Sequence, residues 1–220
     1  MVGIPRATYF AYGENEIAGL KARDKRLGEA IDRIGFIKWQ VEPDLFKAVV
    51  GSIVAQQISG KAAETVYNRL VALAGDLTPA NVARLDRERI QKCGMSMKKA
   101  ANILDFSRKV VSGEFDVSAL PSLSDEEVVS RLSSLRGIGP WTAEMILLFT
   151  LQRPDVLSSR DFGILRGMRM LYRHRKMTKA MFERYRRRLS PFGSVASLYF
   201  WKIAGGAIPG LTDPAFALPK

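Results

Sequence analysis

Residues 135–147 read LRGIGPWTAEMIL. Gly137 and Gly139 flank Ile138, Pro140 follows, and an apolar run then begins at helical spacing. Glycine tolerates positive φ and lets a ligand come close to the backbone. Proline suits the first position of a helix. The first N–H groups of a helix have no partner within it and carry the positive end of its dipole. A turn of this kind is an anion site suited to a phosphate, and Gly137, Ile138, Gly139 and Thr142 are the residues expected to form it. Such a contact positions a nucleic-acid backbone without reading its sequence. An ordinary helical hairpin with a glycine turn shares the local pattern, so the rest of the chain has to discriminate. Trp141, on the first turn of the helix, is left to explain.

Charge discriminates first. The 220 residues carry 34 Lys and Arg against 22 Asp and Glu, a net charge of +12. Between Arg160 and Ser190 eleven basic residues face two acids, Asp161 and Glu183. That is a patch, and it points to a polyanion such as DNA or RNA. The arginines 184 and 186–188 equally suit a solvated helix face. The single Cys93 excludes an intramolecular disulfide and any four-cysteine zinc or iron–sulfur site within the chain. The lone His174 lies in the basic stretch 173–176 and reads as a surface or phosphate-contacting residue. No metal site is expected from side chains. The apolar runs are far short of a membrane span, and MVGIPRATYFAYGENE has no secretory pattern. The expectation is a cytoplasmic protein, at the nucleoid in a prokaryote or in the nucleus of a eukaryote, with no membrane partner.

The elements that must position these residues read as helices throughout. Apolar spacing predicts a helix over 16–35 and another from Pro43-Asp44 to Gln56-Gln57. Ser59 caps a third, and Thr78-Pro79 opens a fourth. Gly94 ends a short fifth, and Ser96 opens one that runs through Ile103 to Val111. Ser124-Asp125-Glu126-Glu127 fits a capping box for a helix over about 125–135. After the 135–147 stretch, a loop from Gln152 to Arg160 leads to helices near 162–173, 178–189 and 194–205. Leu132, Leu135, Ile138, Ala143, Ile146 and Leu147 are spaced to pack two helices as a helix–hairpin–helix over about 125–150. No strand, internal repeat or low-complexity linker is expected. The fold class is all-α: a two-lobed helical bundle with a cleft between lobes, treated as one unit over 1–220 with its motif-bearing core over about 44–205.

Four ordered stretches carry a resemblance. The hairpin is joined by SIVAQQISGKAAETVYNRL (52–70), GMSMKKAANI (94–103) and RPDVLSSRDFGILRG (153–167). Together they resemble the helix–hairpin–helix (HhH-GPD) DNA glycosylases, and more narrowly the 3-methyladenine DNA glycosylase II group, over roughly residues 16–205. The resemblance implies a monofunctional enzyme of base excision repair that hydrolyses the N-glycosidic bond of alkylated purines in damaged double-stranded DNA. 3-Methyladenine is the first substrate implied and 7-methylguanine a further one. It implies a monomer and no organic cofactor, with a monovalent ion at the hairpin backbone as in relatives.

The same resemblance assigns roles. The catalytic aspartate falls on Asp161, whose carboxylate would stabilise an oxocarbenium-like sugar and orient water. Asp161 also reads as the N-cap of the helix beginning at Phe162. Asp155 falls in the loop before it and is given a structural role. Bifunctional members such as endonuclease III carry a lysine nucleophile where this chain has Trp141, so lyase chemistry at this position is not expected. Trp141 is placed in the base pocket, where an aromatic face attracts a cationic base by roughly 0.5–2 kcal/mol. Base flipping needs a wedge, and Gln56, Gln57 and Ile58 align with it, Gln57 best. These glutamines would otherwise end a helix. Phe192 and Met145 complete the pocket set. Both depart from the family pattern: Pro191-Phe192-Gly193-Ser194 stands where Pro-Trp-Arg-Ser is usual, and Met145 where some relatives have tyrosine. Two alternatives stay open, a glycosylase for uncharged lesions such as hypoxanthine or ethenoadenine, and a non-catalytic helix–hairpin–helix DNA-binding protein.

Overall fold

Short polar side chains decide where the helices start. In the computed structural model, which describes residues 9–216, the first two helices are α1 (Glu14–Arg23) and α2 (Lys25–Ile34). The spacing predicted one helix here, and Asp24 breaks it. Asp24 is extended (φ −145°, ψ 102°), and its carboxylate accepts the Leu27 N–H at 3.0 Å. The side chain thus offers the backbone a cap in place of a continued helix. Residues 1–8 of the stretch read for a leader lie outside the described residues.

Seven helices follow in the middle of the chain: α3 (Leu45–Ala55), α4 (Gly60–Ala74), α5 (Pro79–Ala83), α6 (Arg87–Gln91), α7 (Met97–Ser112), α8 (Asp125–Ser133) and α9 (Pro140–Phe149). Asp44, Ser59, Thr78, Ser96 and Ser124 each accept the amide three residues on. Ser124 and Glu127 complete the expected capping box. The short helix α6 stops at Gln91, before Gly94, which then reverses the chain at φ +111°. The last three are α10 (Phe162–Tyr172), α11 (Lys179–Leu189) and α12 (Gly193–Ala204). Among the described residues one isolated antiparallel bridge, Tyr9 with Gln40, accompanies the helices and no strand forms. The fold is all-α as expected, and none of these helices is long and apolar enough to cross a membrane.

The chain divides into two compact units. One comprises Glu42–Leu151, with α3 to α9. Its core gathers Phe46, Val50 and Ile53 of α3, Leu70 of α4, Ile103 and Phe106 of α7, and Ile146 of α9, all buried. Leu132, Leu135, Ile138, Ala143, Ile146 and Leu147 are buried too, so the six residues expected to join α8 to α9 do so. Each large side chain buried here stabilises the unit by about 1.5–3 kcal/mol.

The other unit combines the described residues up to Val41 with those from Gln152 onward. Helix α12 is buried on all sides from Gly193 to Phe200. Helix α10 lies against it at Gly167, where a Cβ would stand 2.1 Å from the Phe200 carbonyl oxygen. Only the missing side chain permits that approach. This contact seats the middle of α10, whose N-cap is Asp161.

Candidate functional site

The hairpin turn is built from backbone. Gly137 has φ +86°, and a Cβ there would stand 2.4 Å from Asn102 Nδ2. Both the conformation and the close packing therefore require glycine. Gly139 differs: it is extended (φ −97°, ψ 171°). The expectation of positive φ holds at Gly137, whereas Gly139 takes an ordinary extended conformation with open space where its Cβ would be. No side chain caps α9 at Gly139, and Pro140 occupies the first turn. Ile138 is the apolar foot of the turn, and its N–H donates to the Leu135 carbonyl at 3.1 Å. Thr142 is buried one turn on. The geometry leaves an open approach to a helix N-terminus.

The segment after α3 is tied to this turn. Gln56 leaves the helix (φ −57°, ψ 130°), and its Nε2 donates to the Gly137 carbonyl at 2.6 Å. Gln57 adopts a left-handed conformation (φ +58°), a strain of about 1–2 kcal/mol for a residue with a Cβ. Gln57 and Ile58 are exposed, Ile58 by 40%. Lys99 supports the segment: its Nζ donates to the Val54 carbonyl at 2.9 Å and to the Gln56 carbonyl. Burial holds this ammonium below the usual lysine range. The Gly-x-Ser-x-x-Lys stretch thereby acquires a physical meaning, because Ser96 caps α7 and Lys99 closes the C-terminal end of α3.

Asp161 is 6% exposed and caps α10. Its Oδ1 accepts the Ile164 N–H at 2.8 Å and the Trp201 Nε1–H at 2.9 Å. Trp201 belongs to α12, and its ring packs on Trp39 with centroids 5.4 Å apart. Gly163 makes room for this arrangement, since a Cβ there would stand 2.7 Å from Trp201 Cδ1. The result is a carboxylate held within a protein interior at the positive end of a helix, with one oxygen fixed by two N–H donors. Such a group stabilises a positive charge developing beside it.

The family question is decided by the match. The model for the HhH-GPD superfamily of base excision DNA repair proteins matches residues 50–191, a span that contains the Gln56–Ile58 segment, the hairpin and Asp161. This chain belongs to the HhH-GPD superfamily. A solved DNA-3-methyladenine glycosidase from Bacillus halodurans is 35% identical, covers 90% of this chain and 93% of its own, and superposes with a TM-score of 0.80. The DNA-3-methyladenine glycosylase 1 of Schizosaccharomyces pombe is 29% identical over 200 residues, which are 89% of this chain and 88% of the relative. A 3-methyladenine DNA glycosylase of that yeast, Mag1, was solved in complex with abasic DNA. That structure is 26% identical, covers 89% of this chain and 98% of its own, and gives a TM-score of 0.78.

Trp141 is 44% exposed on the first turn of α9. Met145, one turn further, lines a recess of about 280 Å³ with Lys47, Gly51, Tyr67 and Phe149. Burial, then Glu42 and Asp44, pushes the Tyr67 hydroxyl up to about 12. Phe192 packs on α1, where its ring edge occupies the place of a Cβ at Gly19 and Arg23 stands 5.0 Å over its face. The ring that the structure brings against Asp161 is Trp201, which the sequence reading did not single out. Its partner is 40 residues away, so no local spacing announces it. Asp155 receives the Gly193 N–H at 3.0 Å and the Ser190 hydroxyl at 2.6 Å, tying the start of α12. Cys93 is buried, and burial raises its thiol.

Proposed function

We propose that this chain is a monofunctional DNA glycosylase that removes alkylated purines, 3-methyladenine first, from damaged duplex DNA, acting as a monomer. The observation that carries the reading is the buried Asp161 carboxylate, fixed by Ile164 and Trp201 at the start of α10, in a chain of the base excision repair superfamily. The relatives bearing the name DNA-3-methyladenine glycosylase support it. So does the yeast enzyme held on abasic DNA, the kind of product such a reaction leaves.

Alkylation gives the purine a positive charge. The C1′–N bond breaks with both electrons moving to the base, which departs neutral. The sugar gains oxocarbenium character, and the Asp161 carboxylate stabilises it. Water then adds to C1′ and loses its proton to the carboxylate or to solvent. The exposed face of Trp141 holds the cationic base before departure. Gln57 and Ile58, presented on a strained turn, fill the gap left in the stack. The hairpin turn grips a phosphate, and the backbone of Gly137 to Gly139 would hold a monovalent ion, which would add positive charge for the phosphate and take no part in the reaction. A tryptophan at position 141 forms no Schiff base, and Lys99 is engaged with the end of α3, so the abasic strand stays intact.

The test is release of bases from methylated duplex DNA by wild type and Asp161→Asn, resolved by chromatography. Release of 3-methyladenine by wild type, its loss in the variant and an uncleaved abasic strand are expected. DNA binding without release of any alkylated base by wild type overturns the proposal.

A further inference from the structure

The roles above use the N-terminal end of α10, yet its C-terminal end gathers guanidinium groups that none of them uses. Helix α10 stops at Tyr172, Arg173 turns the chain in a left-handed conformation (φ +61°), and α11 begins behind the Thr178 cap. Tyr172 and Tyr185 stack with centroids 4.0 Å apart, and His174 Nε2 lies 2.8 Å from the Tyr185 hydroxyl. Arginines surround this platform. Arg26 donates to the Tyr172 carbonyl at 3.1 Å. The guanidinium carbons of Arg184 and Arg188 stand 5.8 and 5.1 Å from the Tyr185 ring centroid. Arg187 follows three residues after Arg184, on the exposed side of α11.

Little opposes this charge. Asp24 is buried beneath the cluster and already accepts from Arg188 at 2.9 Å, Tyr172 Oη at 3.0 Å and the Leu27 N–H at 3.0 Å. Helix α11 contributes a single acid, Glu183, against Lys179, Arg184 and Arg186 to Arg188. His174 reports the local field: burial, then Arg184 and Arg26, hold it below the usual histidine range. None of the large apolar side chains exposed among the described residues falls between 173 and 189, so nothing there would anchor a peptide. Guanidinium groups suit phosphate oxygens through paired N–H donors.

We propose that Arg26, Arg184 and Arg187 form a second phosphodiester-binding surface for duplex DNA, separate from the hairpin and carried by the other unit. The surface presupposes the DNA partner proposed above. The test is the salt dependence of binding to undamaged duplex DNA, read by fluorescence anisotropy. Each phosphate neutralised contributes about 0.9 to the slope of log affinity against log salt. Arg184→Gln/Arg187→Gln, with its fold checked by thermal melting, should lower that slope by about 2. Arg87→Gln removes an exposed arginine paired with Glu88 on the other unit and should keep the wild-type slope. An unchanged slope in the double variant overturns the surface. A slope that falls on RNA but not on duplex DNA also overturns it. Wild type that binds DNA and releases base, with an unaltered double variant, sinks this surface alone, whereas wild type that fails to bind sinks the glycosylase reading itself.

Discussion

Every carboxylate buried among the described residues, Asp24, Asp161 and Asp213, belongs to the unit that contains α10 and α12, whereas the buried polar side chains of the hairpin's unit, Asn102, Ser107, Thr142 and Thr150, are neutral. The difference suits the roles proposed above for each unit. A phosphate grip made of backbone N–H groups is strongest where no carboxylate repels the ligand. Stabilising a sugar cation instead needs an ionised acid, and burial makes that acid expensive unless N–H donors or a guanidinium hold it. Asp24 has Arg188 and Asp213 has Arg169, which meets it with two N–H groups. Asp161 has the Ile164 amide and the Trp201 indole.

The largest effect should come from removing the charge that distinguishes the two units. Asparagine caps a helix about as well as aspartate, and its oxygen still accepts from Ile164 and Trp201. Asp161→Asn should therefore melt close to wild type and bind DNA, while single-turnover base release falls by about 10²–10³-fold. A variant that loses binding in parallel with rate would break the comparison, because the two jobs would not be separable.

A second prediction uses acid. Arg169 holds Asp213 below the usual carboxylate range. A carboxylate depressed on folding contributes stability that is fully present above its unfolded value of 3.8 and is lost as pH falls through the lower folded value. Asp213→Asn should cost about 2 kcal/mol at neutral pH, as expected for hydrogen bonds to a charged group, and nothing at the lowest pH. Hydrogen exchange followed on titration below pH 4 should show α10 and α12 losing protection before α8 and α9. The reverse order would show that buried carboxylates do not set acid stability here.

The comparison also explains what could be read from the sequence. The hairpin was legible because its determinants lie within 25 residues: a capping box at Ser124, six apolar positions, two glycines and a proline. Asp161 was legible as a cap for the same reason. Trp201, Asn102 and the tie between Gln56 and Gly137 were not, because each meets its partner across a long stretch of chain. The helix predicted over 16–35 failed at one residue, Asp24, whose side chain made a local cap that apolar spacing ignores. Phe192 packs on α1 through Gly19, a contact that no spacing rule encodes.

On the hairpin side a smaller effect is expected at Gly137. Valine there must adopt φ near +86° and displace Asn102, which costs about 1–2 kcal/mol. Gly137→Val should weaken affinity for undamaged duplex by about ten-fold, a loss read as a shifted binding curve. Base release at saturating enzyme should suffer far less than in Asp161→Asn. A rate loss as deep as that variant's would mean that the turn takes part in chemistry.

The smallest effect should separate support from contact. Lys99 donates to the carbonyls of Val54 and Gln56, and a cation at a helix C-terminus contributes about 0.3–1 kcal/mol. It holds in place the segment from which Gln57 and Ile58 project and from which Gln56 reaches the Gly137 carbonyl. Lys99→Met keeps the apolar stem and removes the donors, so the Gln57 turn should relax from its left-handed conformation in part of the population. The expected result is a KM raised two- to five-fold, which is about 0.4–1 kcal/mol, with kcat within two-fold of wild type. Lys99→Arg, which retains charge and donors, should recover most of the loss. A fall in kcat that arginine does not rescue would place Lys99 among the groups that touch the substrate and would end its role as a positioning residue.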